Sequence, residues 1–312
     1  NWYYSSLNPE LVEAANELFN TVGGGDQKQK KRIDRDLFDD AGYPAVNLVP
    51  YKYIGRARCS EELMDSQFTH LGVHGGYELL NGSRSYDDWC KKAKFLNIHS
   101  LGICERNTLA GTLAFQLACD KANIQPILGE TVTVKLNTDI ETFIEAKLFA
   151  LTKKGWNNLL HINKHINVLN EEQYIDEDAL LSYGKDIVFV WSSHNVERLS
   201  KKRAKRIQEA FTESYYQFDA VEFASSDTDR RFLMQQNALM QDGFLPPILL
   251  NDTYYLDRED AEVKKLLNKI DKNRALNQSN SQYLKDLDDV LDLIEPLFQS
   301  EDTMYDFIEW AL

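Results

Sequence analysis

The feature that most constrains the fold of this chain is the alternation, from Thr69 onward, of short apolar runs with helical segments. The runs have the length and apolar character of buried strands, and most of the segments between them show helical spacing. The predicted strands are Thr69–His74, Ser100–Cys104, Pro126–Val134, Ala146–Leu151, Ile187–Trp191, Ala220–Phe223 and Ile248–Asn251. Strands that alternate with helices predict an α/β fold with a mostly parallel sheet, either open or closed into a barrel.

Helical segments are predicted between and after these strands. The segment Ser85–Leu96 begins with a capping serine, and acidic Asp87 and Asp88 lie in its first turn, which favours a helix start. The other predicted helices are Thr108–Asn123, Trp156–Asn167, Val196–Thr212, Thr228–Gln241, Glu259–Asp271, Ser281–Phe298 and Met304–Leu312. The polar helices after Leu256 are expected to cover the outside of the sheet.

The chain divides into two parts by composition. Residues 1–66 are interpreted as an N-terminal appendage that holds a helix, a basic linker around Lys28–Arg32 and an extended segment Ala45–Arg58. A run of basic residues can contact phosphates, but a solvated linker explains it more simply. Residues 67–312 are interpreted as the main domain. The first residue is Asn rather than Met, which is consistent with a piece of a longer protein.

Charge and cysteine content exclude some classes of protein. The net charge of −14 argues against a surface that coats nucleic acid, because phosphate contacts need clustered Lys and Arg. No apolar run approaches the roughly 20 residues that span a bilayer, so no membrane association is expected. The four cysteines show no CxxC spacing, which favours a reduced, cytoplasmic setting.

The stretch Thr69–Gly82 is the first candidate for a functional site. It is predicted to be a buried strand that ends in His74, followed by glycines and a turn. Side chains at the carboxyl ends of strands face the mouth of an α/β sheet, where ligands usually bind. Cys104 ends the next strand, where a buried structural cysteine is favoured over a nucleophile, which would need a base and a lowered pKa.

Five stretches carry a family resemblance, in matching order and spacing: Phe68–Gly82, Ala93–Ile98, Ala110–Phe115, Ile124–Glu130 and Asn251–Glu262. Together they resemble the PHP (polymerase and histidinol phosphatase) domain at the start of the alpha subunit of bacterial DNA polymerase III. The resemblance implies a distorted (β/α)7 barrel, here with an extra N-terminal segment and C-terminal helices. In active members, imidazoles and carboxylates at the strand ends hold divalent metals that hydrolyse phosphate esters.

This sequence departs from the family at most of the expected ligand positions. The ligands that the resemblance implies are retained at His74, His194 and Asp252. The degenerate positions are Gly72, Asn81, Arg106, Thr131, Ser226 and Tyr254, with Glu105 and Glu130 as possible auxiliary carboxylates. A guanidinium at position 106 would replace the positive charge of a metal. We therefore expect a vestigial site without a metal cofactor, and Zn or Mn if an ion is retained.

Three functional hypotheses remain open on these residues. The first is a non-catalytic PHP domain that supports a polymerase core and docks a proofreading exonuclease subunit, with only indirect contact to DNA. The second is an active phosphoesterase or 3′–5′ exonuclease with a reduced metal site. The third is a stand-alone interaction protein that uses the same scaffold. The first two depend on the resemblance rather than on composition.

Overall fold

The structure is a computed structural model that describes residues 69–193, 198–220, 244–272 and 280–295, together with residues 304, 307, 308 and 311. The predicted appendage 1–66 and the predicted helix Thr228–Gln241 therefore lie outside the described residues. The predicted site residues His194 and Ser226 also lie outside them.

The described residues form nine strands and seven α-helices in a mixed α/β arrangement. The strands are β1 His70–Val73, β2 Ser100–Ile103, β3 Gln125–Lys135, β4 Phe143–Ala150, β5 Ile175–Asp176, β6 Ile187–Trp191, β7 Glu213–Phe218, β8 Pro247–Leu249 and β9 Asp252–Thr253. The helices are α1 Tyr86–Phe95, α2 Thr112–Ala122, α3 Lys153–Asn167, α4 Glu177–Leu181, α5 Lys201–Ala210, α6 Ala261–Lys272 and α7 Leu287–Ile294, with a 3-10 turn at Arg258–Asp260.

The sheet curls until its two edges share one stretch of chain. Its strand order is β8-β7-β6-β4-β3-β2-β1-β9, and β5 pairs with β3 off this path. Strand β8 pairs with β7, β9 pairs with β1, and only Leu250 and Asn251 separate β8 from β9 in sequence. The extended stretch Pro247–Thr253 thus joins both ends of the sheet. Seven strand positions result, which confirms the expected α/β fold and is consistent with a distorted barrel.

One strand runs against the others, and this reversal is the distortion. Strand β4 is antiparallel to both β3 and β6, whereas the other pairs along the main path are parallel. The amino end of β4 therefore lies at the carboxyl ends of β3 and β6, where Phe143 pairs with Lys135 and Ala146 pairs with Trp191.

Most predicted elements are found near their expected bounds, but there are exceptions. The helix expected from Ser281 begins only at Leu287, and β5 and α4 were not predicted. A strand was expected at Ala220–Phe223, but the strand here is Glu213–Phe218 and Ala220 lies after it; residues 221–223 are not described. The preceding helix was expected to reach Thr212 but ends at Ala210. The prediction failed because β7 carries Gln217, a fully buried polar residue that interrupts the apolar pattern.

Local capping explains where two of the helices begin. The Ser85 side chain accepts a hydrogen bond from the Asp88 backbone N–H, so α1 begins at Tyr86 as expected. Helix α3 begins at Lys153, earlier than predicted, because the Thr152 side chain accepts from the backbone N–H groups of Lys154 and Gly155. Such caps satisfy N–H groups that have no partner within the helix.

Two large apolar clusters hold the barrel together. One packs β3, β4, β6 and β7 against α3 and α5, and the other packs β1 and β2 against α1 and α2. Their burial fixes the strands, and the strands fix the polar side chains at their carboxyl ends. Among the described residues, no helix is both long enough and apolar enough to cross a membrane.

Candidate functional site

His74, directly after β1, is the centre of a buried polar cluster. Its Nδ1 lies 2.5 Å from Oε2 of Glu78, and its Nε2 lies 2.8 Å from Oδ1 of Asp252. Only 1% of its surface is exposed. Burial alone would lower the pKa of His74, but the charge of Glu78 and the hydrogen bond with Asp252 raise it well above its ordinary value. The imidazole is therefore protonated and donates to a carboxylate from each nitrogen.

Asp252, in β9, binds a second cation. The ammonium of Lys147 lies 2.9 Å from the same Oδ1 atom, and the Lys147 side chain is buried. Gln217 donates a hydrogen bond to Oδ2 at 2.9 Å. Burial would raise the pKa of Asp252, but Lys147 and His74 hold it well below its ordinary value. Asp252 is thus an ionised carboxylate whose two oxygens already accept from protein groups.

Lys147 reaches this position because of the reversed strand. It lies in the middle of β4, where its backbone is opposite Thr131 on one side and Val190 on the other. Thr131 is one of the degenerate ligand positions, and its hydroxyl donates to the backbone carbonyl of Cys104 at 2.7 Å. A lysine on β4 therefore supplies a positive charge between strands whose expected ligands are missing.

Glu78 connects this cluster to the loop after β2. Its Oε2 also accepts from the Arg106 backbone N–H at 3.0 Å, and its Oε1 accepts from Asn81 at 2.5 Å. Burial would raise the pKa of Glu78, but the protonated His74 lowers it to about 2. The Arg106 guanidinium lies 2.9 Å from Glu145. The guanidinium expected to replace a metal's charge thus pairs directly with Glu145, while its charge also acts on Glu78 and Asp252. The cations in contact with Asp252 are His74 and Lys147.

Two other degenerate positions lie directly against the cluster. Gly72 is paired with Asp252 in the β1–β9 ladder, and a Cβ atom there would be 2.0 Å from the carbonyl oxygen of Asn251. No side chain can stand at position 72 unless the backbones separate. The ring of Tyr254 stacks on His74, with centroids 4.3 Å apart and an interplanar angle of 18°.

The two auxiliary carboxylates have separate environments. Glu105 accepts from the Gly75 backbone N–H at 3.1 Å and from the Tyr86 hydroxyl at 2.6 Å, and burial raises its pKa. Glu130 accepts from Asn163 of α3 at 2.6 Å. Burial raises the pKa of Glu130 to about 8, so it is largely protonated at neutral pH.

Three donor atoms could hold a metal ion. His74, Cys104 and Asp252 each offer one atom, and these atoms lie within 4.8 Å of one another. A metal needs deprotonated ligands, whereas His74 uses Nε2 to donate to Asp252 and Lys147 occupies the same carboxylate oxygen. Among the described residues, the donors fit at most one ion at this cluster, and that ion would have to displace Lys147. They do not fit a cluster of several metals.

A polar cleft of about 900 Å³ lies beside the cluster. Glu78 and Arg106 stand where the cleft meets the cluster, and the exposed Tyr77 lies on its rim. Much of the remaining lining is amide, including Asn81, Asn163 and Asn167. Cys104 is fully buried, with its Sγ atom 3.7 Å from Nε2 of His74, so it is a buried strand-end cysteine.

The sequence did not identify Lys147, Glu78 or Gln217 as site residues. A signal existed for Lys147, because a lysine inside the apolar strand Phe143–Ala150 must be buried and a buried ammonium needs a carboxylate partner. No comparable pattern marks Glu78, which becomes important only because the turn after β1 folds back onto His74.

The sequence of this chain is similar to those of known proteins. The sequence profile of the PHP domain matches residues 70–276. The DNA polymerase III subunit alpha of Halalkalibacterium halodurans is 27% identical over 207 residues, which cover 64% of this chain and 18% of that protein. The corresponding subunit of Buchnera aphidicola is 26% identical over 263 residues, covering 75% of this chain and 22% of that protein.

A third relative and a solved structure give similar results. The DNA polymerase III subunit alpha of Bacillus subtilis is 24% identical over 232 residues, covering 71% of this chain and 20% of that protein. The chain therefore spans about a fifth of the length of the curated relatives it matches. A structure from Bifidobacterium adolescentis, proposed to be a metal-dependent phosphoesterase, aligns at 12% identity and a TM-score of 0.40, covering 74% of this chain and 96% of that chain.

Proposed function

Because this chain belongs to the PHP domain family, we propose that it is a non-catalytic PHP domain of, or related to, a DNA polymerase III alpha subunit. Its role would be structural or partner-docking, in DNA replication. The observation that carries the proposal is the buried ammonium of Lys147, 2.9 Å from the Asp252 carboxylate.

The charges of the cluster balance without a metal. Protonated His74 and Lys147 supply two positive charges, and Glu78 and Asp252 supply two negative charges, all within one buried network. Divalent ions are retained in proteins by carboxylates and imidazoles that lack other partners. Among these four side chains no negative charge is left uncompensated, which supports a degenerate site; burial and the charge of Asp252 raise the pKa of the neighbouring Asp219 to about 7, so it adds little negative charge below that pH.

The described residues of this cluster are poorly placed to activate a nucleophile by themselves. Phosphate-ester hydrolysis by metal enzymes uses a bound ion to generate hydroxide near neutral pH. His74 cannot serve as a general base while both of its nitrogens carry protons, and Cys104 is fully buried. The described side chains therefore stabilise one another rather than a reacting phosphate.

The relatives suggest the partners of such a domain. Each curated relative named above is a DNA polymerase III subunit alpha, so we propose the polymerase core and a proofreading exonuclease subunit as partners, in the cytoplasm. DNA contact would be indirect, in keeping with a net charge of −14. We also propose that residues 67–312 form one barrel domain with its covering helices.

A combined metal and activity measurement tests this proposal. The purified, unchelated chain is assayed for metal by mass spectrometry, and hydrolysis of a chromogenic phosphodiester is followed with added Mn or Zn. We expect substoichiometric metal and a rate equal to that of H74A and of chelated wild-type protein. Bound metal with hydrolysis that H74A and the chelator both abolish would overturn the proposal.

The alternative function is a metal-dependent phosphoesterase with a reduced site. The observation that favours it is the proximity of the His74, Cys104 and Asp252 donors. One Zn or Mn could bind there if Lys147 moved, with water completing the coordination. The same experiment decides between the two functions.

A further inference from the structure

Two cysteines outside the polar cluster face each other between neighbouring helices. Cys90 lies on α1 and Cys119 on α2, with their Sγ atoms 3.8 Å apart. Both are buried, with 2% and 0% of their surfaces exposed, in the apolar cluster that also holds Trp89 and Phe115. The two sulfur atoms are thus in contact with no side chain between them.

We propose that Cys90 and Cys119 are a modification site, at which a peroxide-type oxidant forms a reversible disulfide that links α1 to α2. A disulfide has an S–S distance of roughly 2.05 Å, so the sulfurs must approach by about 1.8 Å. Side-chain rotation and a small closing of two packed helices can supply such a movement. The inference concerns a different part of the chain from the polar cluster and does not depend on whether that cluster hydrolyses anything.

Either thiol of the pair can react first, because the two sulfurs are in contact. If Cys90 reacts first, its thiolate takes one oxygen of the peroxide, the O–O bond breaks, a sulfenic acid forms, and the hydroxide that leaves takes up a proton to become water. The Cys119 sulfur would then attack the Cys90 sulfur, form the S–S bond and displace a second water. The two sulfurs lose two electrons in total, and the peroxide gains them.

A weak surface contact covers this seam. Asp87 of α1 and Lys121 of α2 form an ion pair at 3.2 Å, and their side chains are 53% and 75% exposed. Asp87 is three residues before Cys90, and Lys121 is two residues after Cys119. Exposed pairs of this kind contribute little to stability, so entry of an oxidant depends on transient opening of the apolar packing between α1 and α2 rather than on breaking this ion pair.

The bond would connect the two loops beside the cleft. Helix α1 follows the loop that contains Glu78, and α2 follows the loop that contains Arg106. Tyr86 at the start of α1 already donates to Glu105 in the second loop. Oxidation would add a covalent link between the same two units and so fix the spacing of the loops that line the cleft.

The test uses the full chain and a variant that keeps only this pair. Wild-type protein and C59S/C104S are exposed to hydrogen peroxide, alkylated and analysed by intact mass and peptide mapping. We expect both proteins to lose the mass of two hydrogens and to give a peptide joined through Cys90 and Cys119. Dithiothreitol should return both to the thiol form. The disulfide would close a loop between two residues that are 29 positions apart. It should therefore raise the midpoint of thermal unfolding by roughly 5–10 °C.

Two outcomes would overturn the proposal. One is that Cys90 and Cys119 of C59S/C104S stay reduced at peroxide concentrations that oxidise an exposed model thiol. The other is a mapped bond that joins Cys59 or Cys104 instead. C90A and C119A serve as controls, because alanine adds no buried hydroxyl to the apolar cluster; each is checked for folding by circular dichroism, and neither should show the rise in thermal midpoint.

Discussion

The ammonium nitrogen of Lys147 lies 2.9 Å from Oδ1 of Asp252, and both side chains are buried. The register of the antiparallel strand β4 places Lys147 opposite Thr131 of β3 and Val190 of β6. The carboxylate that the family resemblance assigns to a metal is thereby bonded to a permanent cation of the same chain. The stability of the protein, its metal binding and its tolerance of a side chain at Gly72 should depend on this contact or on its immediate surroundings.

Removing the ammonium should destabilise the fold. In K147M the Asp252 carboxylate stays buried with one of its two positive partners gone, and breaking a buried ion pair in this way costs roughly 3–5 kcal/mol. The free energy of unfolding of K147M should fall by about that amount at pH 7, measured by urea denaturation. The double variant K147M/D252N should recover much of the loss, because it leaves no uncompensated charge.

The matched control is K121M, which breaks an ion pair that is mostly exposed. Its free energy of unfolding should remain close to that of the wild type. Equal stability of K147M and K121M would mean that the Lys147–Asp252 contact contributes nothing measurable, and the argument for a charge-balanced cluster would fail.

Removing the ammonium should also create a metal site. In K147A the His74, Cys104 and Asp252 donors remain within 4.8 Å of one another, and the cation that competes for Asp252 is absent. We expect one Co²⁺ to bind K147A with the absorption band of a thiolate ligand, whereas the wild type should show no such band. K147A/C104S should lose the band. A thiolate band of equal strength in the wild type would show that Lys147 does not exclude the ion.

Apolar periodicity and caps are local signals, so the runs from Thr69 to Asn251 predicted most of the strands and an α/β fold, and Ser85 predicted the start of α1 correctly. The barrel was expected from the family resemblance and not from the runs. Strand β7 was missed because Gln217 is buried and polar; it donates to Asp219, to the carbonyl of Leu250 and to Asp252. Asp219 is a near neighbour, but Leu250 and Asp252 are 33 and 35 residues away in sequence, so no local pattern could reveal these partners.

The site was less predictable than the fold, because its contacts join residues that are distant in sequence. The resemblance pointed to His74 and Asp252, and the structure brings them into contact at 2.8 Å. It also pointed to Arg106 as a substitute cation, and the charge of Arg106 does act on Glu78 and Asp252, although the guanidinium is in direct contact with Glu145. It did not point to Lys147, whose contact with Asp252 joins residues that are far apart in sequence. His194 and Ser226 lie outside the described residues, so their roles stay predictions.

Glu130 should make stability depend on pH. Its pKa is raised by burial from 4.5 to about 8, so the folded state holds a proton that the unfolded state releases between these values. Stability from this group is full below pH 4.5 and is lost as the pH rises toward 8. At 1.36 kcal/mol per unit, the loss is on the order of 4 kcal/mol. E130Q keeps a neutral group beside Asn163 and should remove this decline.

The measurement is the difference in free energy of unfolding between E130Q and wild type from pH 5 to pH 8. Other titrating groups cancel in that difference. This difference should grow with pH, with E130Q becoming more stable than the wild type. The control E171Q, at an exposed loop position, should give a difference that does not change with pH. A flat difference for E130Q as well would mean that Glu130 is ionised in the folded protein at neutral pH.

Gly72 should be intolerant of any side chain, because β1 and β9 approach most closely there. A Cβ atom at this position would lie 2.0 Å from the Asn251 carbonyl oxygen, whereas one at Gly76 would meet nothing within 4 Å. Relieving the contact requires the backbones of β1 and β9 to separate, at the junction where the two edges of the sheet meet. Overpacking of this kind costs roughly 1–3 kcal/mol or more, so G72A should lower the free energy of unfolding by at least ~2 kcal/mol.

The control G76A should change the free energy of unfolding little. The same contact means that G72H, which restores the histidine expected from the family, should destabilise the barrel without restoring metal-dependent hydrolysis. If G72A were as stable as G76A, the strands could separate at low cost. Loss of the histidine at position 72 would then be independent of the tight β1–β9 pairing, and G72H would be a fair test for recovered activity.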